Sequence, residues 1–135
     1  MSSLLNPYVN LRGRAREALE FYRGVFGGDV VLSTFGEFGM EGMPADQIMH
    51  GQLTTPSGFT LMVADAPEEM PLGDGSSLTI ALSGNDVEDL TGYFHALAEG
   101  GTVTVPLEKQ VWGDHYGSLT DRFGIPWMAN ISPQA

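Results

Sequence analysis

The stretch "YGSLTDRFGIPWMANI", Tyr116 to Ile131, repeats one that stands sixty-six positions earlier, "HGQLTTPSGFTLMVAD", His50 to Asp65. Aligned, the two share a Gly, a Leu-Thr pair, a turn Gly and a Met: Gly51 with Gly117, Leu53-Thr54 with Leu119-Thr120, Gly58 with Gly124, Met62 with Met128. Each reads as strand, tight turn, strand, because apolar alternation on both sides is interrupted by a Gly-containing polar cluster. A hairpin stated twice in 135 residues is the signature of an internal duplication.

The duplication extends outward from both hairpins. Ahead of the first, "RAREALEFYRGVFGG" places Ala15, Ala18, Leu19, Tyr22 and Phe26 at helical spacing, and Gly27-Gly28 ends the helix. "PYVNL" before it reads as a strand. The second half has the same order. "SLTIALS" is a strand, and Asp86 caps a helix whose inner stripe is Val87, Leu90, Thr91, Phe94, Leu97 and Ala98. Gly100-Gly101 stops that helix, "TVTVP" is a strand, and the second hairpin follows. The expected fold is therefore α+β within one domain, residues 1–135. Module one covers about 5–64, a Pro- and Gly-containing linker 65–76, and module two about 77–132, each βαβββ. A four-stranded sheet with one helix has one apolar face uncovered, so neither module is expected to be stable alone. The helices should lie on the convex faces and the concave faces should curl around a cavity.

Composition removes several classes of function. Charge at pH 7 is −11, with six Lys and Arg against seventeen Asp and Glu, so a nucleic-acid partner is not expected. The acidity otherwise serves solubility, or attracts a cationic ligand. No apolar run reaches membrane-spanning length and no signal peptide opens the chain, so the expected compartment is the cytoplasm, with no membrane partner. Zero cysteines exclude disulfides, thiolate nucleophiles and Cys-ligated metal. A domain of this length buries roughly 70% of its unfolded surface, enough for a core. Open strand edges predict a homodimer.

The segments "REALEFYRGVFGG", "IMHGQL", "LTIALSGNDVEDLTGYFHALAEGGTVTVPL" and "VWGDHYGSLTDRFGIPWMAN" carry a family resemblance. The chain resembles the vicinal oxygen chelate superfamily of glyoxalases, bleomycin-resistance proteins and extradiol dioxygenases. The combination W-G-x-x-Y-G-x-x-x-D-R-F-G-x-x-W-M is similar to the PhnB-like branch. The resemblance implies a glyoxalase-like fold and, in metal-dependent members, His, Glu or Gln ligands on the first and last strands of each module. By facing, those places fall on Tyr8, Met62, Thr79 and Met128, a poor donor set for a divalent ion. The expectation is no cofactor, with a divalent metal at displaced ligands left as an alternative. Relatives in this branch are labelled demethylubiquinone methyltransferases, but no S-adenosylmethionine site is expected. Gly27-Gly28 follows a helix, and G-x-G-x-x-G is missing. A nucleophile elbow is likewise missing.

The candidate catalytic residue is His50, since an imidazole ordinarily exchanges its proton near neutrality. A backbone-bonded structural His is the plainer alternative. Tyr8, Asn10, Gln52, Thr79, Trp112 and Tyr116 are the candidate cavity residues. Trp112 either stacks on a flat ligand or plugs a loop onto the core. Trp127 is expected in the core, and His95 and His115 away from the cavity. Arg12, Arg14 and Arg16 either clamp an anion or form a solvated helix start. Gly36–Gln47 is a candidate lid. The expected function is binding of an unidentified small molecule, with or without metal-free chemistry. The alternatives are a non-catalytic sequestering protein of the bleomycin-resistance type and a metal-dependent lyase, isomerase or dioxygenase.

Overall fold

A computed structural model describes residues 3–39, 42–73 and 77–133. The chain divides into two compact units, Met1–Gly73 and Asp74–Ala135. Unit one contains β1 (Tyr8–Leu11), α1 (Ala15–Phe26), β2 (Asp29–Thr34), β3 (Ile48–Thr54) and β4 (Thr60–Asp65). Unit two contains β5 (Ile80–Gly84), α2 (Val87–Ala98), β6 (Thr102–Lys109), β7 (His115–Thr120) and β8 (Pro126–Ile131). The strand orders β1-β4-β3-β2 and β5-β8-β7-β6 are the same. In each, the first strand runs parallel to the last and the remaining pairs are antiparallel. This is the expected α+β architecture of two βαβββ modules with mixed sheets.

In module one, α1 buries Ala15, Ala18, Leu19, Tyr22 and Phe26, the stripe read from spacing. It packs on the sheet face formed by Val9, Leu11, Gly51, Leu53, Leu61 and Val63. Gly51 is small for a steric reason. A Cβ there would stand 2.3 Å from Cδ1 of Leu19 and 3.1 Å from the Val63 carbonyl oxygen. In module two, α2 buries Leu90, Phe94 and Leu97, while Asp86 Oδ1 accepts the Asp89 N–H at 3.0 Å. Val87, expected on the inner stripe, is exposed at the first turn of α2.

The two hairpin turns close alike. Thr55 N donates to the Phe59 carbonyl (3.0 Å) and Gly58 N to the Thr55 carbonyl (3.0 Å); the corresponding bonds are Asp121 N to Ile125 O and Gly124 N to Asp121 O, both 2.9 Å. Both turns are tied by a buried side chain. Thr55 Oγ1 accepts the Phe59 N–H (3.0 Å), while Asp121 accepts from Phe123 N (2.8 Å), Ile125 N (3.0 Å) and Trp127 Nε1 (2.9 Å). Arg122 then reaches the Glu99 carbonyl with two donors, at 3.1 and 3.0 Å, and completes the C-terminus of α2. Trp127 is buried in the core, as expected.

Three boundaries differ from the sequence reading. β5 begins at Ile80, not at Ser77, and β6 runs on to Lys109. Asp65 and Ala66, assigned to the linker, belong to module one. Ala66 N bonds the Leu11 carbonyl (2.7 Å), and Arg12 draws the following segment in through the carbonyls of Pro67 (2.7 Å) and Met70 (2.5 Å). Asp74–Ser76 of the linker lie outside the described residues. Among the described residues no helix is long and apolar enough to cross a membrane.

Candidate functional site

Each helix covers one sheet face, and strand alternation sends the other side chains to the opposite face. In module one that open face is built in rows by the strand register. Val31 lies beside Gln52, Gln52 beside Met62, and Met62 beside Tyr8. Ser33 lies beside His50, and Asn10 beside Ala64, in the next row. The Tyr8 and His50 rings are 6.0 Å apart and inclined at 33°. Asn10, His50, Gln52 and Met62 are half-buried, and Tyr8 is 48% exposed. Gln52 Nε2 donates to Thr54 Oγ1 at 3.4 Å. The structure thus brings Tyr8, Asn10, His50 and Gln52 together on one surface. It offers an aromatic pair, two amides, a thioether and one exchangeable imidazole proton, and no Lys or Arg stands in these rows.

The open face of module two holds Tyr116 beside Asn130 and Glu108, and Ser118 beside Met128 and Val105. Asn130 Nδ2 donates to Asp114 Oδ2 at 3.0 Å, and the hydroxyls of Thr104 and Ser118 share a 2.6 Å bond. Thr79 precedes β5, and the residue registered with Met128 is Ala81, the counterpart of Tyr8 beside Met62. Ala81, two residues beyond Thr79, therefore holds the place expected for Thr79. Trp112 is 62% exposed at the turn between β6 and β7, next to the fully exposed Val111. It is neither plugged onto the core nor part of the open-face rows, because Gln110 N–Asp114 O and Gly113 N–Gln110 O bonds close the turn beneath it (2.7 and 3.0 Å). His95 is exposed, and His115 pairs with Ile131, on the face opposite Tyr116.

The arginines do not assemble a clamp. Arg12 holds the carbonyls already named, Arg14 pairs with Glu17 at 3.1 Å, and Arg16 reaches the Asp46 carbonyl at 3.4 Å. The base of the candidate lid is pinned by Phe35 N–Gln47 O (3.1 Å) and Gly36 N–Ala45 O (3.0 Å); Met40 and Glu41 lie outside the described residues. A cavity of about 300 Å3 beside this base is lined by Arg12, Gly13, Met43, Gln47 and Glu68 among others, and holds neither His50 nor any of Tyr8, Asn10, Gln52, Thr79, Trp112 and Tyr116.

The fold family implies a metal in some members, and the donors present do not fit one. Tyr8 and Met62 are neighbours across β1 and β4, and Ala81 and Met128 across β5 and β8. Thioethers and a methyl group do not hold a hard divalent ion, and a phenol ligates only once deprotonated. Among the described residues, no three His, Asp or Glu side chains are grouped to hold a metal ion.

Sequence reasoning missed Asp65 and Asp121, both buried acids. The repeat carried a signal for each, since Asp65 aligns with Ile131 and Asp121 with Thr55. A charge standing where the other copy keeps an apolar or neutral residue marks a local task.

Residues 5–129 match the Glyoxalase/Bleomycin resistance protein/Dioxygenase superfamily. Protein YjdN of Escherichia coli is 29% identical over 96% of either chain. The crystal structure of PA1353 from Pseudomonas aeruginosa superposes with a TM-score of 0.82 at 35% identity, covering 97% of this chain and 98% of that one. A PhnB protein from Bacillus cereus, provisionally labelled a 3-demethylubiquinone-9 3-methyltransferase, has the same fold, with a TM-score of 0.78 at 21% identity over 96% of this chain and 99% of its own. With the repeated βαβββ topology, these similarities place the chain: it belongs to the glyoxalase/bleomycin resistance protein/dioxygenase superfamily.

Proposed function

We propose that this PhnB-like protein binds a small molecule on the open face of the module-one sheet, with His50 as the group that exchanges a proton with it or hydrogen-bonds it. The observation that supports the reading most is the Tyr8–His50 ring pair, at 6.0 Å, on a half-buried surface flanked by Gln52 and Met62. Tyr8 and Met62 supply apolar contact to a flat molecule, and Asn10 and Gln52 orient its polar edge. Any chemistry is proton transfer at His50, without a divalent ion at the family position and without S-adenosylmethionine. The same face equally serves a binding protein without turnover, since the rows contain a single proton-exchanging imidazole.

Native mass spectrometry of the chain, purified without chelator, tests this. A retained small molecule is expected on the native protein, with occupancy reduced in Tyr8→Leu and His50→Gln. Equal occupancy in all three removes the site from this face. One zinc, nickel, iron or manganese ion per chain in the same spectra, lost in the Tyr8 variant, would replace the proposal with the metal-dependent reading. Turnover of the retained molecule, with a pH profile abolished in His50→Gln, would select the enzyme over the sequestering protein.

A further inference from the structure

Ala64 lies on the open face of module one, two residues after Met62, yet it is only 4% exposed. A methyl group on an uncovered sheet face stays dry only beneath larger side chains. Ala64 pairs with Asn10 across β1 and β4, and on its other side His50 stands opposite it, one step beyond the Gly51–Val63 pair. Tyr8 is in the next row of β1, beside Met62. The Tyr8 and His50 backbones are thus two strands and two residues apart, a diagonal of roughly 12 Å at ordinary sheet spacings. Their rings are 6.0 Å apart. The two side chains therefore lean toward each other across β4, over the stretch from Met62 to Ala64.

Module two exchanges the sizes. The counterpart of Tyr8 beside the hairpin methionine is Ala81, and the residue aligned with Ala64 is Asn130. Asn130 stands between Ser83 and Tyr116, as Ala64 stands between Asn10 and His50. Its amide donates to Asp114 at 3.0 Å. Each face keeps one large and one small residue at these two places, an aromatic with a methyl in module one and an amide with a methyl in module two.

We propose that Ala64 is a positioning residue for the Tyr8–His50 pair: its small side chain is the clearance that lets the two rings meet over β4. The proposal rests on the reading of this face as the ligand surface. A longer side chain at position 64 would take the volume under the rings. Packed side chains do not compress, so a ring has to turn away. The aromatic contact is then lost while the strands keep their register.

Proton NMR of the native chain and its variants reads this directly. The chain has three histidines, and the signals missing in His50→Gln belong to the His50 ring. Their displacement between the native chain and Tyr8→Ala measures the ring contact. Ala64→Leu and Ala64→Asn are expected to lose most of that displacement, and Ala64→Gly, which adds no volume, to keep it. Combining Ala64→Leu with Tyr8→Ala restores one large and one small residue, so in urea denaturation the leucine should cost less there than in the native chain. A native His50 signal in folded Ala64→Leu or Ala64→Asn overturns the proposal. So does loss of the displacement in Ala64→Gly, or a leucine that costs as much without Tyr8 as with it. If Ala64→Leu does not fold by itself, failure to fold in combination with Tyr8→Ala overturns the proposal equally. No ligand enters these measurements, so their failure leaves the small-molecule reading to mass spectrometry, and loss of that reading leaves the ring contact untouched.

Discussion

At the residue scale, the two buried acids divide the labour. Asp65 joins α1 to β3 in module one, and Asp121 ties the β7–β8 turn and the Trp127 indole in module two. Asp121→Ala would strand three donors, at Phe123, Ile125 and Trp127, in a buried turn. Hydrogen bonds to a charged acceptor contribute about 1.5–3 kcal/mol each, and their contributions do not add fully. A loss of about 3 kcal/mol or more is expected in urea denaturation, with the midpoint lowered. Thr55→Ala, in the aligned turn, removes one acceptor and is expected to cost about 1 kcal/mol. Equal losses would mean that the Asp121 carboxylate adds nothing beyond the Thr hydroxyl. None of these roles is readable from residue type, because the partners of Asp65 are 17 and 50 positions away.

At the element scale, the two Gly-Gly pairs do more than stop helices. A Cβ on Gly28 would come to 2.1 Å from the Thr54 carbonyl oxygen, and one on Gly101 to 2.3 Å from that of Thr120. Thr54 and Thr120 are aligned in the repeat, so each second glycine lets the helix-to-strand turn lie against its hairpin at the same place. Gly28→Ala and Gly101→Ala should each cost about 3 kcal/mol or more, since backbone has to move. Gly24→Ala, with open space around its Cβ in mid-helix, should stabilise by about 0.5–1 kcal/mol. Chemical denaturation of the three variants checks the contrast, and a harmless Gly101→Ala would contradict it. At the start of α2 the Asp89 carboxyl is held above its ordinary pKa by its hydrogen bond and charge contact with Asp86, then by desolvation and Glu88. A raised folded-state pKa favours the fold while the carboxyl is protonated, and that contribution is lost as pH rises through it. Asp89→Asn is therefore expected to raise the melting temperature at neutral pH and to narrow the difference in acid. An unchanged melting profile from pH 3 to 7 would contradict this. These contacts follow from tertiary approach, but the elements themselves were legible, because amphipathic spacing survives in any window of twelve residues.

At the scale of the whole molecule, exposed apolar side chains accompany the open strand edges. Val31 is 71% exposed on edge strand β2, and Val111 and Trp112 project from the β6–β7 turn. Such edges invite a second chain, and a homodimer is the expected state. Light scattering at micromolar concentration should give twice the 14.5 kDa chain mass, falling toward the monomer in Trp112→Ser with Val111→Ser. A monomer mass for the native chain would refute it. By itself, the sequence determined the duplication, the βαβββ order of each module, the α1 stripe, the Leu90, Phe94 and Leu97 part of the α2 stripe, and the common surface of Tyr8, Asn10, His50 and Gln52. These are properties of period and of repetition, which local chemistry writes into the chain. Tertiary structure alone decided that β5 registers Ala81 beside Met128, that Trp112 stands in solvent, and that Ile48 and His50, two residues apart on β3, stand on opposite faces across a bulge at Met49. A bulge breaks the period that sequence reading depends on. What stabilises it is the buried Asp65 carboxylate, which accepts the Ile48 N–H and is brought from the far end of β4 by pairing that no local pattern records.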